Sequence, residues 1–426
     1  TCGVLITSRK NEDAPDEPLE LKRLEKQAAE EVFRHYSKIA GDDVTVQGIC
    51  KILDGWPVAL RIAGRYLRST KENAADYLTW LEKEPFKELG SGKHEQENAA
   101  LLLRRSVAQV SDDARLALGL AGTLAFAPIA CWHTTALLED DVRRSRNALN
   151  ELVNYGLLER REERWQVSHA LIQTYTRSEL GLSKEKLERL AWRYVLVYKA
   201  ASSAGLPGYA FLDRERLHCL QLMESCLKCG LWQYVKALVG AIWNYLDLQG
   251  YWTEQLVAVK MSLNAAQKDG DRSNEAQCLN NLGYINMRRG DHAGALMWFE
   301  QSLPIWCELK DKKGEAVTLN NIGDIYRQQG RFDLALEKYQ FSLTIMQKID
   351  DREGEVKTLN NIGMIYDNQE NYTTALEIYE QCLSIWRKLE NKTGESISLN
   401  NIGMIYRNLS NETKALEYLK QALAIR

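Results

Sequence analysis

The chain has 426 residues, of which 27% are charged and 45% hydrophobic, a composition typical of soluble globular proteins with about two to four domains. Its net charge of −3 at pH 7 gives no indication of a surface that binds nucleic acid. The nine scattered cysteines and the lack of a recognisable signal peptide favour a reducing, cytoplasmic location. The most apolar run, residues 116–132, contains glycines and a proline and is too short to predict a membrane span.

The first hundred residues predict one short strand followed by helices. Residues 4–9 form a β-branched run that ends in Thr7-Ser8-Arg9 and predicts a buried strand, and a polar loop follows to about Pro18. Apolar residues then recur at helical spacing over 21–33 and again from Ile49. Pro57, within Gly55-Trp56-Pro57-Val58-Ala59-Leu60, suits the first turn of a further helix.

A polar stretch, residues 72–100, separates these helices from the next domain. It contains Gly90-Ser91-Gly92-Lys93, which superficially resembles a phosphate loop. Lys87 stands where that motif requires its first glycine, and His94 stands where it requires Ser or Thr. We therefore expect a flexible linker.

Residues 99–182 predict helices followed by a hairpin. One amphipathic helix ends at Tyr155-Gly156, and residues 157–160 and 164–167 predict two short strands around a charged turn. This order indicates a winged helix, and His169 follows the second strand almost directly. Residues 183–270 predict helices throughout, with Trp192 and Leu217 among the expected core residues.

The C-terminal part is a repeat with a period of 40 residues, marked by a Leu-Asn-Asn-Leu/Ile-Gly motif. The four copies occupy residues 279–283, 319–323, 359–363 and 399–403. A fixed period in this range indicates a solenoid of stacked helical units, since no unit can bury its apolar face alone.

Each unit predicts a pair of helices. Gly330 is expected to end the first helix of its pair, and the small residues Gly323 and Ala335 allow the two helices to approach closely. Asp311 and its equivalents Asp351 and Asn391 are expected to be N-caps.

This pattern resembles the tetratricopeptide repeat in the longer form of about 40 residues found in kinesin light chains and many bacterial regulators. The consensus apolar residue, Leu-Gly, aromatic and alanine positions are occupied by Leu359, Ile362-Gly363, Tyr366 and Ala375. The first regular unit departs from it at Asn286. A degenerate unit from about residue 236 precedes it, with Trp243 at the small-residue position.

The N-terminal motifs resemble the second half of the NB-ARC module of STAND-class (AP-ATPase-like) signalling ATPases. The resemblance implies that Arg9 senses nucleotide phosphates, that Pro57 of a Gly-x-Pro-x-Ala-Leu helix packs near adenine, and that His169 of the winged helix contacts the diphosphate of ADP. Trp56 replaces the usual leucine. Ser168 and Ala170 replace the Met and Asp that flank the family's histidine. The alternative for each residue is an ordinary structural role.

The family's phosphate-loop lysine and Mg-binding aspartate would lie before Thr1, so we expect a fragment of a longer protein that is not an enzyme by itself. ADP or ATP, with Mg in the parent, is the implied cofactor, and this fragment alone is not expected to hold it tightly. No metal cluster or catalytic triad is recognisable in the sequence. The parent is expected to be a slow ATPase at most, and self-assembly of the whole protein is one implied outcome.

The resemblance to tetratricopeptide repeats implies that the first helices line a concave groove, on the face opposite the core, that holds an extended peptide. The expected groove residues are Asn280, Tyr284, Asn320, Asp324, Arg327, Asn360, Met364, Asn400, Met404 and Arg407. Carboxamides can bind a peptide backbone because they both donate and accept hydrogen bonds. The alternative is a ladder of asparagines that only braces the stack. The second asparagine of each pair, such as Asn321, is expected to satisfy backbone groups between units.

The sequence thus predicts a mainly α chain: a remnant strand of an α/β NTPase domain, a helical domain, a winged helix and an α-α superhelix. The expected boundaries are 1–18, 19–95, 96–182, a helical linker over 183–235, and repeats over 236–426, the last one incomplete. The leading functional hypothesis is the sensor part of a nucleotide-switched signalling protein. A plain repeat scaffold and a winged-helix transcription regulator with a repeat sensor are the alternatives.

Overall fold

A computed structural model describes residues 23–40, 43–84 and 92–425. Within these residues the chain is mainly α-helical and ends in a superhelix of helix pairs, which confirms the predicted fold class. The predicted N-terminal strand, Arg9 with it, and Gly90-Ser91 lie outside the described residues. The expected flexible linker is wrong where the 72–100 stretch is described, because residues 74–83 and 92–100 are helical. No helix in the described ranges is both long enough and apolar enough to cross a membrane.

The chain divides into two compact units. The first comprises residues 1–193 with 215–225, and the second comprises 194–214 with 226–426.

The first unit begins with five helices: α1 (Lys26–Ser37), α2 (Asp43–Ile52), α3 (Pro57–Thr70), α4 (Ala74–Lys83) and α5 (Gly92–Gln109). Pro57 occupies the first turn of α3, as predicted, where its missing N–H leaves no donor unpaired. Gly64 lets α3 lie close to α1, because a Cβ there would be 2.9 Å from the Tyr36 Cβ. Phe33 and Leu60 are fully buried in this core.

The next segment alternates helices with short strands in the order α6 (Asp112–Thr123), β1 (Ile129–Ala130), α7 (Cys131–Thr135), α8 (Val142–Asn154), β2 (Leu158–Arg161), β3 (Arg164–Val167) and α9 (Ala170–Glu179). The strands form an antiparallel sheet in the order β1-β3-β2. Leu158 pairs with Val167 and Ile129 with Trp165, whose ring is buried. The predicted hairpin is confirmed, and its turn places Glu162 at a φ of 54°.

Two long helices follow, α10 (Lys184–Ser203) and α11 (Leu206–Lys228). Tyr194 is fully buried, as expected. The assignment of Trp192 and Leu217 to the core is wrong, because these side chains are 55% and 50% exposed. Long helices of this kind carry apolar residues on more than one face, so spacing alone did not identify the buried one.

The repeats form ten helices: α12 (Trp232–Gln249), α13 (Trp252–Asp269), α14 (Arg272–Arg288), α15 (His292–Leu309), α16 (Lys312–Gln328), α17 (Phe332–Lys348), α18 (Arg352–Asn368), α19 (Tyr372–Lys388), α20 (Lys392–Asn408) and α21 (Glu412–Ile425). The degenerate unit, α12 with α13, keeps the helix register of the regular units.

Local sequence explains the helix boundaries and the close packing of each pair. Asp311, Asp351 and Asn391 are N-caps, each accepting a hydrogen bond of 2.9 Å from the backbone N–H three residues later, as predicted. Gly330 has a φ of 73° in the turn between helices. A Cβ on Gly323 would lie 2.7 Å from the Tyr339 ring, so only glycine permits this approach.

Candidate functional site

The asparagine pairs form a ladder across successive repeats. In each step the second asparagine of one repeat donates its Nδ2 to the Oδ1 of the first asparagine in the preceding repeat. The three bonds measure 3.2 Å for Asn321 to Asn280, 3.3 Å for Asn361 to Asn320, and 2.8 Å for Asn401 to Asn360. The ladder therefore joins the first helices of neighbouring pairs.

This geometry corrects one expectation. Asn321 was expected to satisfy backbone groups, but its hydrogen-bond partner is a side chain, because equivalent first helices stack with their asparagines facing each other. The Oδ1 of Asn320 and of Asn360 is used in the ladder, whereas each carboxamide also carries two Nδ2 hydrogens. Asn280 is 7% exposed, while Asn400 is exposed.

The other predicted groove residues differ from repeat to repeat. Asp324 accepts hydrogen bonds from the Tyr339 hydroxyl at 2.8 Å and from Arg327 at 3.3 Å. Burial and the neighbouring Asp324 carboxylate raise the pKa of Tyr339, so its hydroxyl remains a donor. The equivalent of Asp324 in the next repeat is Met364, whose sulfur lies 3.8 Å from the Asn360 Nδ2.

The outer groove residues are more accessible or contact neighbouring helices. The Tyr284 hydroxyl donates to Asp247 at 3.3 Å. Met404 is half-buried and Arg407 is exposed. This face therefore offers carboxamides, thioethers and side chains of both charges. It does not require a ligand that is purely acidic or purely basic.

Of the three residues expected to face a nucleotide, Pro57 and His169 lie in the described part of the first unit. Pro57 begins α3, and Arg61, one turn later, donates to Glu159 at 2.7 Å and to the Ser168 hydroxyl and carbonyl at 3.0 and 3.2 Å. Because Ser168 directly precedes His169, Arg61 holds the proline-bearing helix beside the segment that carries the histidine. Arg65, a further turn along α3, donates to the Val153 carbonyl at 2.8 Å.

His169 is the N-cap of α9. Its Nδ1 accepts a hydrogen bond of 3.2 Å from the Leu171 backbone N–H. In the neutral imidazole the proton is then on Nε2, which makes that nitrogen a donor. A donor at the positive end of a helix dipole suits a phosphate oxygen.

Sequence reasoning missed Arg61, because no residue near it in the sequence indicates a contact with a segment about a hundred residues away.

Sequence reasoning also missed a buried cluster in which ligand-type atoms of His133, Glu215 and His218 lie within 4.8 Å of one another. His133 Nε2 is 2.8 Å from a Glu215 oxygen, and Arg164 pairs with the same carboxylate. Burial lowers the pKa of His218 to about 4. Since Arg164 already neutralises Glu215, this cluster has the properties of a structural polar network.

Comparison with known protein families identifies the repeats. Residues 276–309 match one tetratricopeptide-repeat family, and residues 314–372 and 354–426 match another. The C-terminal superhelix is built of tetratricopeptide repeats. No curated protein sequence matches the chain.

Three solved structures illustrate the range of similar folds. BtubC (BKLC) from P. vanneervenii is 19% identical over 57% of this chain and 91% of its own, with a TM-score of 0.40. A STAND protein with a tetratricopeptide-repeat sensor from Pyrococcus horikoshii is 17% identical over 95% of this chain and 60% of its own, with a TM-score of 0.45. Aspartyl phosphate phosphatase F from Bacillus subtilis is 11% identical over 96% of both chains, with a TM-score of 0.39. We draw no functional conclusion from structures this distant.

The tetratricopeptide repeats make this part of the chain a protein-interaction scaffold. Its groove-forming helices present the asparagine ladder at a regular spacing, and the residues between the rungs vary in charge and polarity. Carboxamides in general can form hydrogen bonds with a peptide backbone whatever its side chains.

Proposed function

We propose that this chain is the regulatory part of a nucleotide-switched signalling protein of the STAND class. In this proposal the tetratricopeptide groove binds a protein or peptide ligand, and its occupancy controls exchange between an ADP-bound resting state and an ATP-bound active state. The chain contributes one wall of the nucleotide site and no catalytic group.

The observation that carries this proposal is the pair of hydrogen bonds from Arg61 to Ser168. They keep the helix that begins at Pro57 next to the segment that carries His169, 112 residues further along the chain. A nucleotide wall of the kind proposed needs these two positions together.

The fit of this wall to a nucleotide rests on chemistry present in the chain. The donor at His169 Nε2 and the N-terminus of α9 suit the phosphates, and Pro57 offers an apolar surface for a base. The order helix, strand, helix, helix, strand, strand from α6 to β3 is that of a winged helix. A DNA-reading role is disfavoured, because Arg144 of α8 is already bound to Asp113 at 2.6 Å.

Control by a groove ligand requires a difference in affinity between the two states. A ligand that binds the active state more tightly shifts the population by the ratio of the two affinities. The contacts of Arg61 and Arg65 with the winged-helix segment are those that would differ between the states in this proposal. Weakening them is then expected to favour the active state.

The first test is the nucleotide content of the complete gene product. The protein is purified, denatured and assayed for released ADP by chromatography. Bound ADP in the purified protein supports the switch. A protein that is empty and fails to bind added ATP would refute it, leaving the tetratricopeptide scaffold with structural roles for Pro57 and His169.

The second test uses Arg61→Ala in the same gene product, with Arg68→Ala as the control. Arg68 lies two turns beyond Arg61 on α3 and is exposed. Loss of the Ser168 and Glu159 contacts is expected to speed ADP release, whereas the control is expected to leave the release rate unchanged. Equal ADP release rates in both variants would contradict a role for Arg61 in holding α3 beside the segment that carries His169.

A further inference from the structure

The asparagine ladder has a gap at its N-terminal end. In the degenerate repeat the first asparagine is replaced by Gly240, so Asn281 lacks the carboxamide partner from the preceding repeat that its equivalents have. A cavity of about 280 Å³ lies beside Gly240, between the first helices α12 and α14, with Ser262 of α13 contributing to its lining. The cavity thus occupies the place where the ladder's missing side chain would lie.

Packing does not explain the glycine. Gly240 lies inside α12, where glycine costs about 1 kcal/mol relative to alanine. A Cβ at this position would meet no atom within 4 Å, whereas a Cβ at Gly323 would meet the Tyr339 ring at 2.7 Å. Gly323 is therefore required by close packing, whereas the exposed Gly240 leaves open space beside the cavity.

The cavity presents hydrogen-bond donors. The Asn281 Oδ1 accepts from Gln277 at 2.9 Å, and its Nδ2 has no acceptor among the described residues. The Asn274 Oδ1 accepts from Ser262 at 3.2 Å and from Cys278, while its Nδ2 likewise has no acceptor in the described part of the chain. Two amide donors therefore line a space large enough for a ligand side chain.

The charges beside the cavity favour a neutral occupant. Lys236 lines it, and its ammonium group is bound by both Asp269 and Asp271 at 2.7 Å. One cation paired with two carboxylates leaves a net negative charge, which disfavours a ligand carboxylate. The Trp243 ring, also part of the lining, can pack against the methylene groups of an amphipathic side chain.

We propose that this cavity, lined by Gly240, Trp243, Asn274, Asn281 and their neighbours, is an anchor pocket for an uncharged carboxamide side chain, glutamine or asparagine, of a peptide in the groove. The ligand oxygen takes the place of the missing ladder carboxamide and accepts from the Asn281 Nδ2. This inference rests on the groove-binding part of the proposed function and adds the class of ligand residue.

The test titrates the whole chain with N-acetylglutamine N-methylamide. The Trp243 indole and the Asn281 side-chain amide are followed by NMR and assigned through single substitutions. Saturable shifts of both signals are expected. The matching glutamate compound is expected to bind about tenfold more weakly, because its carboxylate meets the excess negative charge.

Gly240→Asn is the decisive variant, since it supplies the ladder carboxamide from the protein itself. It is expected to abolish the shifts at an unchanged or higher melting temperature. A wild-type protein without saturable shifts, or a Gly240→Asn variant that binds as well as wild type, would overturn the proposal. The groove itself is tested separately through Asn320 and Asn361, so the two failures are distinguishable.

Discussion

Substituting either Asn361 or Asn320 removes the hydrogen bond between them. Comparing the two variants therefore distinguishes a role in stabilising the stack of repeats from a role in binding a ligand. Asn320→Ala and Asn361→Ala both delete the same 3.3 Å bond. Only the first removes a carboxamide that we expect to face the ligand. The two variants are therefore matched controls for each other.

The expected loss of stability is small and equal in the two variants. A side-chain hydrogen bond of this kind contributes about 1 kcal/mol to the free energy of unfolding. Replacing asparagine by alanine inside a helix returns about 0.6 kcal/mol through helix propensity. Both asparagines are half-buried, so the amide that is left behind can bond to water. The net change is about 0.5 kcal/mol for each variant.

The binding assay uses peptides selected by the wild-type chain from a random 12-residue library displayed on phage. If Asn320 bonds to the peptide backbone, its removal costs about 1 kcal/mol of binding free energy, or about fivefold in affinity. Asn361→Ala is expected to keep wild-type affinity. Equal losses of affinity in both variants, or a fall in unfolding free energy above about 2 kcal/mol, would make the ladder purely structural.

Three further predictions concern packing, pH and the nucleotide wall. Gly323→Ala is expected to lower the melting temperature through its clash with an aromatic ring, whereas Gly240→Ala is expected to raise it. The hydrogen bond from Lys236 lowers the pKa of Asp271, so its stabilising contribution is present above about pH 4 and is lost as the pH falls through the folded-state pKa. Urea midpoints between pH 3 and 6 are then expected to vary less in Asp271→Asn than in wild type. In the complete gene product, His169→Ala is expected to speed ADP release, and an unchanged rate would remove His169 from the site.

The repeats could be predicted from the sequence because the same motif recurs in four copies that can be compared with one another. The 40-residue period fixed the helix pairs, and the caps at Asp311 and its equivalents fixed where the helices begin. The close approach of the paired helices at Gly323 was predicted from the small size of this residue, and the structure adds that the ring it meets is Tyr339. Local capping preferences and the 40-residue period favour the same structure here, which is why the predicted starts of these helices agree with the observed ones.

The contacts of the first unit could not be predicted in the same way. Arg61 and Ser168 are 107 residues apart and occur once each, so neither periodicity nor local chemistry links them. The same holds for His133 and Glu215, which are 82 residues apart. Such contacts depend on tertiary packing, and spacing within one segment carries no information about them. The exposed Trp192 shows the converse error, because an apolar residue on a helix is not necessarily on its buried face.

A repeat protein offers an internal reference for judging which departures matter. At some positions the packing changes together with the residue. Trp243, for example, stands where the regular repeats have a small glycine, and the packing around it differs accordingly. Gly240 differs, because it departs from the asparagine of the other repeats, costs helix stability and fills no packing need. Met364 in place of Asp324 is a change of another kind, since its side chain packs against the core of its repeat and its sulfur lies 3.8 Å from the Asn360 Nδ2. Where the stack gains nothing from a change, as at Gly240, we expect the position to contact a ligand.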